Sequence, residues 1–113
     1  MSLDNTNIID AVGLEKDTGY VVLTIADSWD WSAEYEHLVA LQNKINSYFA
    51  FITSGQLLQD YPKASGRKVK LDIVVRYPLS QAAIEFVAKA PSVAAGIGVE
   101  LSSRLVTDQA LGQ

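Results

Sequence analysis

Between positions 20 and 26 the chain reads YVVLTIA, with Val21, Leu23 and Ile25 on alternate positions and Tyr20, Val22, Thr24 and Ala26 between them. A period of two marks a strand with one face on a core, so the three aliphatic side chains are expected to point inward. The run at 8–14 (IIDAVGL) also favours a strand, and the polar connection EKDTG ends in glycine. The two runs are therefore expected to pair as a β-hairpin. From Trp31 the period changes: Trp31, Tyr35, Leu38, Ile45, Phe49 and Ile52 recur at steps of three, four and seven. That is the stripe of an amphipathic helix, expected over about 32–54 with Gly55 as its stop.

Residues 55–68 (GQLLQDYPKASGRK) read as an irregular crossover in which Leu57, Leu58 and Tyr61 cover part of the core edge. The segment 69–77 (VKLDIVVRY) alternates cleanly, with Val69, Leu71, Ile73, Val75 and Tyr77 on one face. Pro78 ends that strand because it has no N–H to donate, and Ser80 is placed to cap a second helix whose apolar side runs through Ala83, Ile84 and Val87. Pro91 is expected to break or kink this helix, with a last turn up to Gly96. Residues 98–105 (GVELSSRL) alternate again as a closing strand, and 106–113 carry no pattern and are expected to fray.

The resulting order, β-β-α-β-α-β, predicts one α+β domain over residues 1–113: a two-layer sandwich with a four-stranded mixed sheet and two helices on one face. The connection between the strands at 69–77 and 98–105 has the length of a right-handed crossover, so these two are expected to be parallel.

The series DSWDW…EHLVALQNKINSYFAFITSG, followed by GRKVKLDIVVRYP, resembles a family of small uncharacterised bacterial proteins with a domain of unknown function. The likeness covers roughly residues 5–105 and rests on EHLVALQNKIN, FITSG and the strand end at Tyr77 and Pro78. It implies no activity and no site residues.

Composition narrows the function. The chain has 113 residues, a net charge of −4 and no cysteine. Absence of cysteine removes thiolate catalysis, thiolate metal sites and disulfides, and fits a reducing cytoplasm. An acidic surface repels a phosphate backbone, so no nucleic-acid partner is expected. MSLDNTN lacks the basic and apolar regions of a secretory signal, and YVVLTIA is far short of the roughly 20 apolar residues that span a bilayer, so a soluble cytoplasmic protein without membrane contact is expected. The sequence holds no G-x-S-x-G, no phosphate loop and no dinucleotide fingerprint, and no cofactor is implied.

Chemistry-bearing residues concentrate in DSWDWSAEYEH, 27–37, which contains the only histidine. On a helical wheel Asp30, Glu34 and His37 fall close together, a placement that suits a carboxylate–histidine dyad or part of a metal site. A lone E-x-x-H falls short of the ligand set such sites need, and no metal is expected. The plainer reading is a helix start, with Asp27, Ser28, Asp30 and Ser32 competing as caps and Glu34 and Glu36 complementing the dipole. Trp31 is in register with Tyr35 and Leu38 and is assigned to the core, whereas Trp29 lies in the preceding turn, where it either covers the sheet edge or presents a contact surface. A second cluster, Lys63, Arg67, Lys68, Lys70 and Arg76, holds most of the basic residues. The plainer reading is a solvated loop and an outer strand face; if the group has a ligand, Lys63, Arg67 and Lys68 are the candidate anion-binding residues.

The expected function is thus a non-enzymatic protein-binding or interaction module, presenting an acidic aromatic rim of Trp29, Asp30, Glu34 and His37. A bacterial immunity-type or accessory protein that neutralises a basic partner is its concrete form. The alternative is a small metal-dependent or carboxylate-based hydrolase using Asp30, Glu34 and His37. A homodimer is also expected, because the sheet face away from the helices mixes Tyr20, Val22 and Val74 with Lys70, Asp72 and Arg76.

Overall fold

The computed structural model describes Leu3 and residues 5–106. The elements are β1 (Ala11–Leu14), β2 (Val21–Asp27), α1 (Glu34–Thr53), α2 (Gln56–Asp60), β3 (Val69–Val75), α3 (Gln81–Ala95) and β4 (Val99–Leu105), with a 3₁₀ turn at Pro62–Ala64. They build a four-stranded mixed sheet in the order β1-β2-β3-β4, antiparallel between β1 and β2 and parallel thereafter. The α+β class and the β-β-α-β-α-β order are those read from the sequence, with α2 as an added turn in the segment expected to be irregular. The expected fraying falls at 107–113, outside the described residues. Val106 itself donates its N–H to the carbonyl of Val75.

Both parallel connections step the same way across the sheet, so right-handed crossovers bring α1 and α3 to one face. There Val21, Leu23 and Ile25 of β2, Leu71, Ile73 and Val75 of β3, and Val99 and Leu101 of β4 form one core cluster with Leu41, Ile45 and Tyr48 of α1 and Val87, Ala90 and Ala94 of α3. The opposite face, with Val22, Thr24, Lys70, Asp72, Val74, Glu100, Ser102 and Arg104, carries no helix.

Three sequence expectations need correction. The stripe Trp31, Tyr35, Leu38, Ile45, Phe49, Ile52 is not the buried face of α1: the buried positions are His37, Leu41, Lys44, Ile45 and Tyr48, while Tyr35 is 78% exposed. Counting apolar residues favoured the neighbouring stripe because His37 and Lys44 score as polar. In the fold each finds partners, and the helix turns to bury them. In α3, Ile84 is exposed and the inward side is Ala83, Val87, Ala90 and Ala94. Finally, Pro91 does not break α3, which continues to Ala95 with Gly96 as its C-cap, the end expected for the last turn; Ala90 and Ala94 are buried on either side of the proline. Ser80 does cap α3, accepting from the N–H of Ala83 at 3.2 Å.

Lys44 shows why a buried cation is tolerated here. Its Nζ donates to the carbonyls of Asn5 and Ile8 at 2.7 and 2.6 Å and lies 3.2 Å from Asp10 Oδ1. Asp10 Oδ2 accepts from the N–H of Ala26, and the Asp10 N–H donates to the Tyr48 hydroxyl, which donates in turn to the Thr24 carbonyl. Every polar group in this knot meets a complementary one, as burial requires. It ties the segment before β1 to both β2 and α1.

Candidate functional site

The inward alternation of β2, Val21, Leu23, Ile25, continues one step further to Asp27, which is 2% exposed at the carboxyl end of the strand. A charged side chain in that position needs a partner from the layer above. His37 supplies it, being one turn before Leu41 on the buried stripe of α1 and 1% exposed. Its Nε2 lies 2.5 Å from Asp27 Oδ2, and its Nδ1 lies 2.9 Å from the carbonyl of Asp30. A carbonyl only accepts, so Nδ1 carries a hydrogen. One further proton is then shared between Nε2 and the Asp27 carboxyl. Burial pushes that carboxyl above its ordinary range, opposed by the bond to His37, its charge and the Trp29 N–H.

Two indoles close over the imidazole. Trp31 stacks on it with ring centroids 3.5 Å apart and planes 16° from parallel, and Trp29 lies at 5.5 Å and 57°. Both are half-buried, and Trp29 also packs against the core cluster. Trp31, assigned to the core from sequence, is thus no more buried than Trp29, while Trp29 covers part of the core, one of the two roles open to it. Trp31 fills its place by stacking on His37 rather than by joining the stripe, and its Nε1 is buried with no hydrogen-bond partner among the described residues.

The candidate caps do not cap α1. Its N-cap position is Ala33, without a side-chain hydrogen bond. Asp27 Oδ1 instead accepts from the Trp29 N–H, and Asp30 Oδ1 accepts from the Ser32 N–H and hydroxyl. These local turns fold 27–32 tightly enough to carry the chain from β2 into α1. The Ser32 hydroxyl and N–H hold the Asp30 carboxyl below its usual value.

Asp30, Glu34 and His37 do not converge. The first two are exposed, whereas both ring nitrogens of His37 are committed inside the protein. Among the described residues no group of three or more His, Asp or Glu side chains is arranged to hold a metal ion. The Asp27–His37 pair has the composition of an acid–base dyad, but a general base must reach a substrate proton, and neither group is accessible. The groove beside it, about 170 Å³, is lined by Ala26, Asp27, Ser28, Val74, Val75, Arg76 and Val106. That is below the roughly 300 Å³ at which small-molecule sites begin. A wider depression of about 610 Å³ between the N-terminal segment, α1 and α2 has a single ionisable lining residue, Asp60.

What does reach solvent is the layer above the pair. Asp30, Glu34, Tyr35 and Glu36 are all exposed around the first turn of α1. Tyr35 escaped the sequence reading because its helical spacing from Trp31 placed it in the core. In the candidate anion group Lys63, Arg67 and Lys68 are all exposed; Arg67 donates to the carbonyls of Lys63 and Gly19, and Lys68 lies 3.7 Å from Glu100.

Residues 1–107 match the model of a family of unknown function, DUF6572. The chain belongs to that family. No curated protein and no solved structure matches this DUF6572 chain. Among its described residues no helix is long and apolar enough to cross a membrane.

Proposed function

We propose that this DUF6572 chain is a non-enzymatic protein-binding module of the bacterial cytoplasm, meeting a basic partner through the acidic aromatic rim at the start of α1. The observation that carries this reading is Tyr35, 78% exposed on an ordered helix and flanked by exposed Asp30, Glu34 and Glu36. Tyrosine is among the residues that dominate binding energy at interfaces, because its ring offers apolar contact area and its hydroxyl a polar handle. The surrounding carboxylates favour encounter with a cationic surface and disfavour other partners. Beneath them, Trp29, Trp31 and the Asp27–His37 pair act as a fixed base, so little ordering cost falls on binding. Relative to the rim read from sequence, Trp29, Asp30 and Glu34 remain, Tyr35 joins them, and His37 supports them from below. An immunity-type or accessory protein that masks a basic partner is the concrete form.

Affinity capture from native cells tests this, with wild type and a Tyr35→Ala/Glu34→Lys chain as baits. A basic protein retained by the first and lost from the second is the expected result; identical captures would remove the rim from consideration. The hydrolase alternative requires the Asp30 and Glu34 carboxylates to be joined by a His37 released from Asp27. Zinc titration by calorimetry is its test, and submicromolar binding that disappears in His37→Ala would favour it.

A further inference from the structure

The outer edge of β4 has a pattern that fits a second copy of the same strand. β4 is seven residues long and ends the sheet, and among the described residues no strand pairs with its outer side. The Val106 N–H donates to the Val75 carbonyl, and Val75 lies opposite Leu105 in the parallel register. Alternate residues in a parallel ladder turn their N–H and C=O toward the neighbour, so Glu100, Ser102 and Arg104 turn theirs to β3. Val99, Leu101, Ser103 and Leu105 therefore turn theirs outward. An edge of this kind is a template for another strand.

Charge selects the occupant. Glu100 and Arg104 stand two residues either side of Ser102 on the face without helices; Glu100 lies 3.7 Å from Lys68 and Arg104 Nε donates to Asp72 at 3.0 Å, yet their side chains stay 47% and 62% exposed and can take a further partner. Let two β4 strands pair antiparallel about a two-fold axis at Ser102. Val99 then meets Leu105 of the second copy and Leu101 meets its Ser103, so the outward groups satisfy one another. Glu100 lies directly opposite Arg104 of the second copy, and the reverse holds by symmetry. These are non-hydrogen-bonded pairs, where facing side chains approach most closely. Sliding the register by two residues sets each charge against a neutral residue or beyond the strand end, so this register alone joins the Lys68–Glu100 pair of one copy to the Asp72–Arg104 pair of the other as a four-membered charge network.

The helix layer agrees with the same axis. α3 meets α1 across a cleft lined by Phe49 and Phe86. Its other flank, toward the β4 edge, is Ile84, Ala88, Pro91 and Ala95, all exposed and none charged. A two-fold axis normal to the sheet keeps both helix layers on one side and brings these flanks together, and their small side chains permit close approach. Pro91, Ala95 and Gly98 border a groove beside Val99 and Leu101, next to where Leu105 of the second copy arrives; Leu105 is 48% exposed in the single chain. Strand pairing alone would bury less than the roughly 1,200 Å² of a stable interface, and the α3 flank supplies further contact.

We propose that the chain forms a homodimer by antiparallel β4–β4 pairing centred on Ser102, joining two sheets edge to edge. This surface is separate from the acidic rim of α1. Sedimentation velocity on the full chain should show a dimer. Ser103→Pro removes an outward N–H and leaves the β3 ladder intact, so it should give a monomer with an unchanged circular dichroism spectrum. A cysteine at the axis adds a register-specific readout in a chain that has none. The Cα separation of a non-hydrogen-bonded pair, about 4.5 Å, lies within disulfide range, so Ser102→Cys should oxidise to a covalent dimer faster than Gln59→Cys on α2. Glu100→Arg and Arg104→Glu, each monomeric alone, should form a heterodimer when mixed. A wild type that stays monomeric at millimolar concentration overturns the proposal, as does a dimer untouched by Ser103→Pro or equal cross-linking of the two cysteine chains.

Discussion

His37 Nε2 and Asp27 Oδ2 are 2.5 Å apart, and the two side chains together are closed to water by the sheet, α1 and the paired indoles. Because Nδ1 is hydrogenated toward the Asp30 carbonyl, an amide at position 27 can reproduce both contacts of the carboxyl: its NH₂ donates to a neutral Nε2, and its oxygen accepts from the Trp29 N–H. Asp27→Asn should therefore cost about 1 kcal/mol or less in urea melts at neutral pH. His37→Ala leaves the carboxyl buried without its partner and should cost about 3 to 5 kcal/mol. Equal losses in the two variants would show that the pair does not hold this proton arrangement.

The same pair gives a pH dependence of defined sign. Burial raises the Asp27 carboxyl above its ordinary 3.8, so the folded chain binds that proton more tightly than the unfolded chain. Its contribution to stability is fully present below 3.8 and declines as pH rises toward the folded value, then levels off. Asp27→Asn lacks this slope. Unfolding free energy of wild type minus that of Asp27→Asn should fall with rising pH across the acid range, and a flat or rising difference would contradict the burial argument. The lowered Asp30 carboxyl acts in the opposite direction in both chains and cancels in the subtraction.

Lys44→Met should destabilise by about 3 kcal/mol, because it leaves the largely buried Asp10 carboxylate and the carbonyls of Asn5 and Ile8 without their shared cation. The amide of Ala26, held by Asp10, should then lose hydrogen-exchange protection before the amides in the middle of β3 do.

The two tryptophans and Tyr35 should separate support from surface. Trp31→Phe keeps a ring over His37 and removes the unpaired indole N–H, so it should change stability by about 1 kcal/mol or less, with either sign. Trp31→Ala and Trp29→Ala both uncover the imidazole and should cost about 2 kcal/mol or more. Tyr35→Ala should fall within about 0.5 kcal/mol of wild type. Denaturant melts of the four chains check the ranking.

The strands were legible in the sequence because their period of two needs no partner to be recognised. Val21, Leu23 and Ile25 point inward as the alternation requires, and β3 lies parallel to β4 as its crossover length requires. The face of α1 was not legible, since burial of His37 and Lys44 depends on Asp27, Asp10 and two backbone carbonyls that sequence spacing does not bring near. Reading α1 from Leu41 and Tyr48, four and eleven positions after His37, would have found the true stripe at the cost of admitting two ionisable residues to the core. Likewise the signal for Asp27 was present: it is the next inward position of β2, although carboxylates beside serine and tryptophan read first as helix caps.

The strand order β1-β2-β3-β4 means that no strand is inserted between two made earlier. During synthesis each new strand can dock on the one just completed, with α1 roofing the step to β3 and α3 the step to β4, so the nascent sheet lengthens in a single direction without having to reopen. A ribosome-stalled chain ending after β3 would already contain the hairpin, the Lys44 knot and the Asp27–His37 pair. What it would lack is β4, and its growing end would be β3, with Leu71 and Ile73 still waiting for α3. The interval between completion of β3 and arrival of β4 is accordingly the stage at which this chain most needs protection from its neighbours.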